Sequence, residues 1–164
     1  MSNIVLIGMP GCGKSTVGVI LAKTLGIGFV DTDLIIQQRE KRLLQDIIDK
    51  EGIDKFLDCE ADAVMSVDCD NSVIATGGSV VFRDNSIKHL KKNGKIFFLD
   101  VSLDEIKSRL DNISTRGVAA EKSQSIDEIF NQRFPLYEKY ADYILKLNNS
   151  NVENTVEQIC NLIK

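Results

Sequence analysis

The stretch Gly8-Met9-Pro10-Gly11-Cys12-Gly13-Lys14-Ser15-Thr16 constrains this chain more than any other. It fits G-x-x-x-x-G-K-[ST], the loop with which ATP- and GTP-using proteins cradle phosphate. Its flanks fit as well. Ile4-Val5-Leu6-Ile7 is a short apolar run that reads as a buried strand. Val17, Ile20, Leu21 and Leu25 follow the loop at helical spacing. Strand, glycine loop and helix are what the chemistry needs. Glycines let the backbone turn its N–H groups inward. The helix start adds unpaired donors and a partial positive charge. Gly11, Cys12, Gly13 and Thr16 would surround the phosphates, Lys14 would reach the β- and γ-phosphates, and the Ser15 hydroxyl would hold Mg²⁺. Cys12 is a small filler here, also open to oxidation or alkylation.

At 164 residues the chain reads as one domain, 1–164, large enough to bury about two-thirds of its unfolded surface. A formal net charge of −4 argues against nucleic acid as the main partner, so any positive potential must be local. Cys12, Cys59, Cys69 and Cys160 form no C-x-x-C pair and there is one histidine, which argues against zinc. No charged-then-apolar leader precedes the first strand, and no apolar run reaches membrane-spanning length. These features predict a reduced, cytoplasmic protein with no nucleic acid or membrane partner. A monomer is the expected state.

Phe29-Val30 reads as a second strand, and its end carries Asp31 and Asp33. In open α/β sheets chemistry gathers at the carboxyl ends of strands. Two acids there suggest a Mg²⁺ partner and a base that orients a hydroxyl. Asp31 or Thr32 could equally cap the following helix. Residues 34–50 read as helical with a polar break at Arg39-Glu40-Lys41-Arg42, and Gly52 is the C-cap. A helix from Asp54 carries Phe56, Leu57, Ala61, Val64 and Met65 on a mostly apolar stripe. This insert, about 34–65, sits where small-molecule kinases hold their acceptors. Residues 72–76 read as a third strand running into Gly77-Gly78-Ser79, where paired glycines permit close backbone approach to a ligand or simply a tight turn.

Residues 85–92 read as a helix and 95–100 as a fourth strand with the continuous apolar run Ile96-Phe97-Phe98-Leu99 at its centre. Ser102 caps a helix with Ile106, Arg109 and Leu110. The stretch 111–124 lacks periodicity and contains Arg116, so it reads as a lid or as a surface loop. Residues 125–141 form a helix holding Arg133 and Pro135, whose ring should kink it. A fifth strand at 142–147 and a closing helix at 152–163 complete the chain. The alternation predicts an α/β fold, a five-stranded parallel sheet between two helical layers. Right-handed crossovers bring the loop, Asp33 and Gly77-Gly78 to one edge.

Together these motifs resemble the shikimate kinase family over nearly the whole chain. The resemblance rests on residues 8–16, Phe29-Val30-Asp31-Thr32-Asp33, Phe56 with Glu60, Gly77-Gly78, Leu99-Asp100 with Arg109, Arg116, and Arg133-Phe134-Pro135-Leu136-Tyr137 before Ala141-Asp142. It implies a P-loop kinase fold with sheet order 2-3-1-4-5, an acceptor-binding insert and a lid. It implies transfer of the γ-phosphoryl of ATP, with Mg²⁺, to the 3-hydroxyl of shikimate. By the same resemblance Asp31 lies near the metal through water, and Asp33 binds acceptor hydroxyls and orients the nucleophile. Gly77 and Gly78 line the acceptor pocket, Arg109 stacks on adenine, Arg116 meets the phosphates and Arg133 holds the acceptor carboxylate.

Three departures bear on the acceptor. The family motif F-R-x-x-E reads Phe56-Leu57-Asp58-Cys59-Glu60, so the second carboxylate clamp is Leu57. Ser79 replaces the third glycine of G-G-G, and R-P-L-L reads Arg116-Gly117-Val118-Ala119. Losing one charge-assisted hydrogen bond costs about 1.5–3 kcal/mol, roughly 10- to 150-fold in affinity. Arg39, Arg42, Lys55 or Arg83 could restore the cation, or Leu57 could be plain core. The rivals are a kinase of another hydroxy acid, amino acid or sugar acid, a nucleoside-monophosphate kinase, and a nucleotide-binding module without catalysis.

Overall fold

The computed structural model describes residues 2–111 and 118–164. In chain order the elements are β1 (Asn3–Ile7), α1 (Lys14–Leu25), β2 (Gly28–Asp31), α2 (Thr32–Glu40), α3 (Leu44–Glu51), α4 (Ile53–Met65) and β3 (Ser72–Ala75). A short 3₁₀ turn at Val80–Phe82 precedes α5 (Asp84–Lys92), β4 (Gly94–Asp100), α6 (Leu103–Asp111), α7 (Ile126–Tyr140), β5 (Tyr143–Lys146) and α8 (Val152–Leu162). The strands form one five-stranded sheet in the order β2-β3-β1-β4-β5. Every neighbouring pair is parallel. β1 and β3 are buried at every position, because helices cover both faces and leave no solvent side for polar alternation.

The main core joins residues of β1, β3 and β4 to Val17 and Leu21 of α1, Ile129 and Tyr137 of α7, and Val156 and Ile159 of α8. A second cluster lies apart. It holds Ile36 of α2, Ile47 and Ile48 of α3, Phe56, Leu57, Cys59 and Ala63 of α4, and Ala119. Leu57 is 7% exposed inside it, so packing alone accounts for a leucine there.

Residues 34–50 are two helices, not one. Lys41 takes a left-handed φ of 53° and ends α2. The polar run supplies no apolar anchor to continue the helix. Arg42 turns back to Glu51 at 2.6 Å and to Glu40 at 3.4 Å, holding the corner. The 3₁₀ turn was also not expected from the sequence, since it offers too few residues to show a period. α7 is continuous through Pro135 and begins with a full capping box between Ser125 and Glu128.

α1 presses flat on the sheet through Gly18. A Cβ there would lie 2.7 Å from the Phe29 ring and 3.5 Å from Leu6. Gly18→Val is expected to cost about 1–3 kcal/mol through overpacking. Urea denaturation checks this, and an unchanged midpoint would show that the contact does not set the position of α1.

Candidate functional site

The amino end of α1 is built to receive an anion. Gly8, Gly11 and Gly13 hold φ values of 148°, 80° and 96°, a run that side chains would strain. α2, α7 and α8 each begin with a capping side chain, Asp31, Ser125 and Asn151. α1 begins with Gly13, has no side-chain cap and no acid in its first turn. Its first N–H groups therefore keep their donors for a ligand. Lys14 is buried and donates from Nζ to the Gly8 carbonyl at 2.8 Å and the Met9 carbonyl at 2.9 Å. The loop thus holds its cation in place. Cys12 packs behind it, its Sγ 3.6 Å from Nζ, and is buried.

Asp31 uses both oxygens. Oδ1 accepts from the Asp33 and Leu34 backbones at 3.0 and 3.4 Å, capping α2. Oδ2 accepts from Ser15 Oγ at 2.8 Å. The cap reading of Asp31 holds, and the cap fixes the carboxylate beside the loop hydroxyl. A hydroxyl with one carboxylate suits Mg²⁺, which keeps most of its shell as water and substrate phosphate. Among the described residues no group of three or more His, Cys, Asp or Glu is placed to hold a metal alone.

A cavity of about 300 Å³ opens from this loop. Gly13, Lys14, Ser15 and Thr16 line one end, and Asp33, Glu60, Gly77, Gly78 and Arg133 line the other. The glycine pair is there because nothing larger fits. A Cβ on Gly77 would fall 2.4 Å from Glu60 Oε2 and 2.9 Å from Asp33 Oδ1. One on Gly78 would fall 2.9 Å from an Arg133 nitrogen and from Pro10. Tyr137 donates to the Gly78 carbonyl at 2.6 Å and fixes that strap. Burial pushes its phenol well above the usual range, so it stays a donor.

Arg133 is 1% exposed. It donates to the Ala119 carbonyl at 2.7 Å and lies 5.3 Å from the centre of the Phe82 ring. Its Nε has no hydrogen-bond partner, and it makes no ion pair among the described residues. A buried cation so placed favours an anion in the cavity. Arg39, Arg42, Lys55 and Arg83 do not line the cavity. Arg39 bonds the Asp62 carbonyl and Arg83 pairs with Asp58. No described cation takes the place that Leu57 leaves.

Arg109 stands outside the cavity, across the loop. It donates to the Gly11 carbonyl at 3.1 Å and to Glu105 at 2.6 Å. Arg116 lies outside the described residues. Glu60 was the residue that sequence reasoning left without a role. It is 1% exposed on α4, and Ser79 Oγ donates to its Oε1 at 2.8 Å. Burial first, then Asp33 nearby, pushes its carboxyl up to about 8. The available signal was a glutamate one turn from Phe56 and Leu57 on an otherwise apolar face.

The chain is similar to known proteins along nearly its whole length. The family model for shikimate kinase matches residues 10–164. A shikimate kinase of Clostridium botulinum (strain Eklund 17B / Type B) is 36% identical over 99% of this chain and 97% of its own length. One from Thermodesulfovibrio yellowstonii is 39% identical over 97% of this chain and 93% of its own. Among solved structures, the shikimate kinase from Acinetobacter baumannii in complex with shikimate superposes with a TM-score of 0.90 at 28% identity, covering 99% of this chain and 93% of that one.

Glu60 also sets a stability signature. Its folded carboxyl titrates near 8, against 4.5 for the free side chain. Between those values the unfolded chain releases a proton that the folded chain keeps, so stability falls as pH rises. Glu60→Gln abolishes that loss. Its urea midpoint is expected to gain on the parent steadily between about pH 5 and about pH 8. A constant difference across that range would contradict the assignment.

Proposed function

The chain belongs to the shikimate kinase family, and on that premise we propose how its residues transfer the γ-phosphoryl group of ATP to the 3-hydroxyl of shikimate. The observation that carries the reading is Arg133: a buried guanidinium, with no ion pair among the described residues, that lines the same cavity as Lys14 and Asp33. A triphosphate tail lies on the uncapped end of α1, and an acidic acceptor lies with its carboxylate on Arg133.

Phosphoryl transfer asks for alignment and for neutralised charge. Gly11, Cys12, Gly13 and Thr16 enclose the phosphates with backbone donors, and Lys14 turns from the loop carbonyls to the β- and γ-oxygens. Ser15 with Asp31 would hold Mg²⁺, which supplies positive charge to the phosphates when bound. Arg109, fixed against Gly11, lies beside the base. Asp33 accepts the hydrogen bond of the attacking hydroxyl and aims its oxygen at phosphorus. The new oxygen–phosphorus bond forms as the bond to ADP breaks, and the hydroxyl proton passes to Asp33. Gly77 and Gly78 allow the acceptor to approach the backbone closely. Val118 and Ala119 close part of the wall and limit water.

Two outcomes are expected. In a coupled ADP-release assay with ATP and Mg²⁺, shikimate should be turned over by the unaltered chain, without Leu57→Arg. Activity with another hydroxy acid, homoserine or a sugar acid but not with shikimate would reject the acceptor. Asp33→Asn should lower kcat by about 10²–10⁴ and leave the KM for ATP within a few-fold. An equal loss in ATP affinity would place Asp33 with the nucleotide instead.

A further inference from the structure

Glu60 and Asp33 come from α4 and α2, and their carboxyl oxygens converge on the space above Gly77. Glu60 Oε1 is taken by Ser79 Oγ, which stands where the family motif carries a third glycine. Glu60 lines the cavity, and its Oε2 is buried with no hydrogen-bond partner among the described residues. Leu57, one turn back on the same helix, brings no cation to it. The charged and titratable groups that face it are Asp33 of α2, Lys14 of α1, and Arg133 and Tyr137 of α7. A buried oxygen left unsatisfied is costly unless a ligand completes it.

We propose that Glu60 determines acceptor specificity by reading a hydroxyl: its Oε2 donates to a hydroxyl oxygen whose own proton is held by the Asp33 carboxylate. A hydroxyl is the group that accepts and donates at once. An ammonium has no lone pair for Glu60, and a carboxylate in this place would meet the charge of Asp33. The Ser79 bond leaves Oε1 as the carbonyl oxygen and puts the proton on Oε2. Glu60 thus selects hydroxylated acceptors while Arg133 selects acidic ones. The inference rests on the reading of this cavity as the acceptor site.

Steady-state kinetics with shikimate from about pH 6 to about pH 10 test it. In the unaltered protein the KM for shikimate is expected to climb above pH about 8, roughly tenfold per unit, with kcat little changed. Glu60→Gln keeps a permanent donor, so it should hold the neutral-pH KM within a few-fold and lose the climb. Glu60→Ala should raise KM by at least about tenfold at every pH. A flat KM profile in the unaltered protein, or Gln failing as badly as Ala, overturns the assignment. A second readout needs no variant. Shikimate binding near pH 9 should draw a proton from the buffer, seen as a calorimetric enthalpy that changes with the buffer's ionisation enthalpy. Equal enthalpies in different buffers overturn it too. Absence of any turnover or binding of shikimate by the unaltered protein would instead reject the acceptor reading beneath it.

Discussion

The first turn of α1 has N–H groups that no side chain satisfies, and the molecule is arranged around that need. β1 brings the chain to the carboxyl edge of the sheet. Glycines turn it sharply, and Lys14 is folded back onto the loop's own carbonyls. Side-chain caps are present on α2, α7 and α8 and absent on α3, α4 and α5, so it is the positive-φ glycines and the buried Lys14 that single out the amino end of α1. A polyanion completes it, and a sheet buried on both faces keeps it from shifting.

The second constraint is electrostatic. The wall facing the loop buries a guanidinium and a carboxyl, both nearly sealed from water, next to Asp33. Such groups are tolerable where each offsets another or where a ligand completes them. Arg133 and Lys14 bring positive charge to the cavity, and Asp33 and Glu60 bring carboxyl groups, the latter pushed toward its neutral form by burial. A small polar acid bearing hydroxyls answers all four. The glycine strap, held by Tyr137, lets that acid lie against backbone. The α2–α4 cluster behind it has its own apolar core, which fixes α4 and therefore Glu60.

Much of this was legible because it is local. The loop motif, the apolar strand centres and the caps at Asp31 and Ser102 are written in adjacent residues, and the alternation of strand and helix implies the layers. The strand order rested on the family resemblance, and the pairing of the strands agrees with it. Other features depend on contacts far along the chain. The break at Lys41 is a backbone state that lysine does not advertise. Leu57 could be lost clamp or plain core until its packing was seen. Glu60 stands in the family motif, but its burial depends on the distant 77–79 strap and is not visible in adjacent residues. The resemblance implies a nucleotide contact for Arg109, and the structure sets its guanidinium against the Gly11 carbonyl. Arg116 lies outside the described residues.

The central claim is that phosphate leaves ATP at the end of α1 and arrives on a hydroxyl presented by Asp33. Phosphorus NMR of a reaction with ATP, Mg²⁺ and shikimate follows both ends of that transfer. The account requires ADP and a phosphate monoester of shikimate to appear in equal amounts, with little free phosphate. ADP accompanied by inorganic phosphate, at a rate indifferent to shikimate, would contradict it.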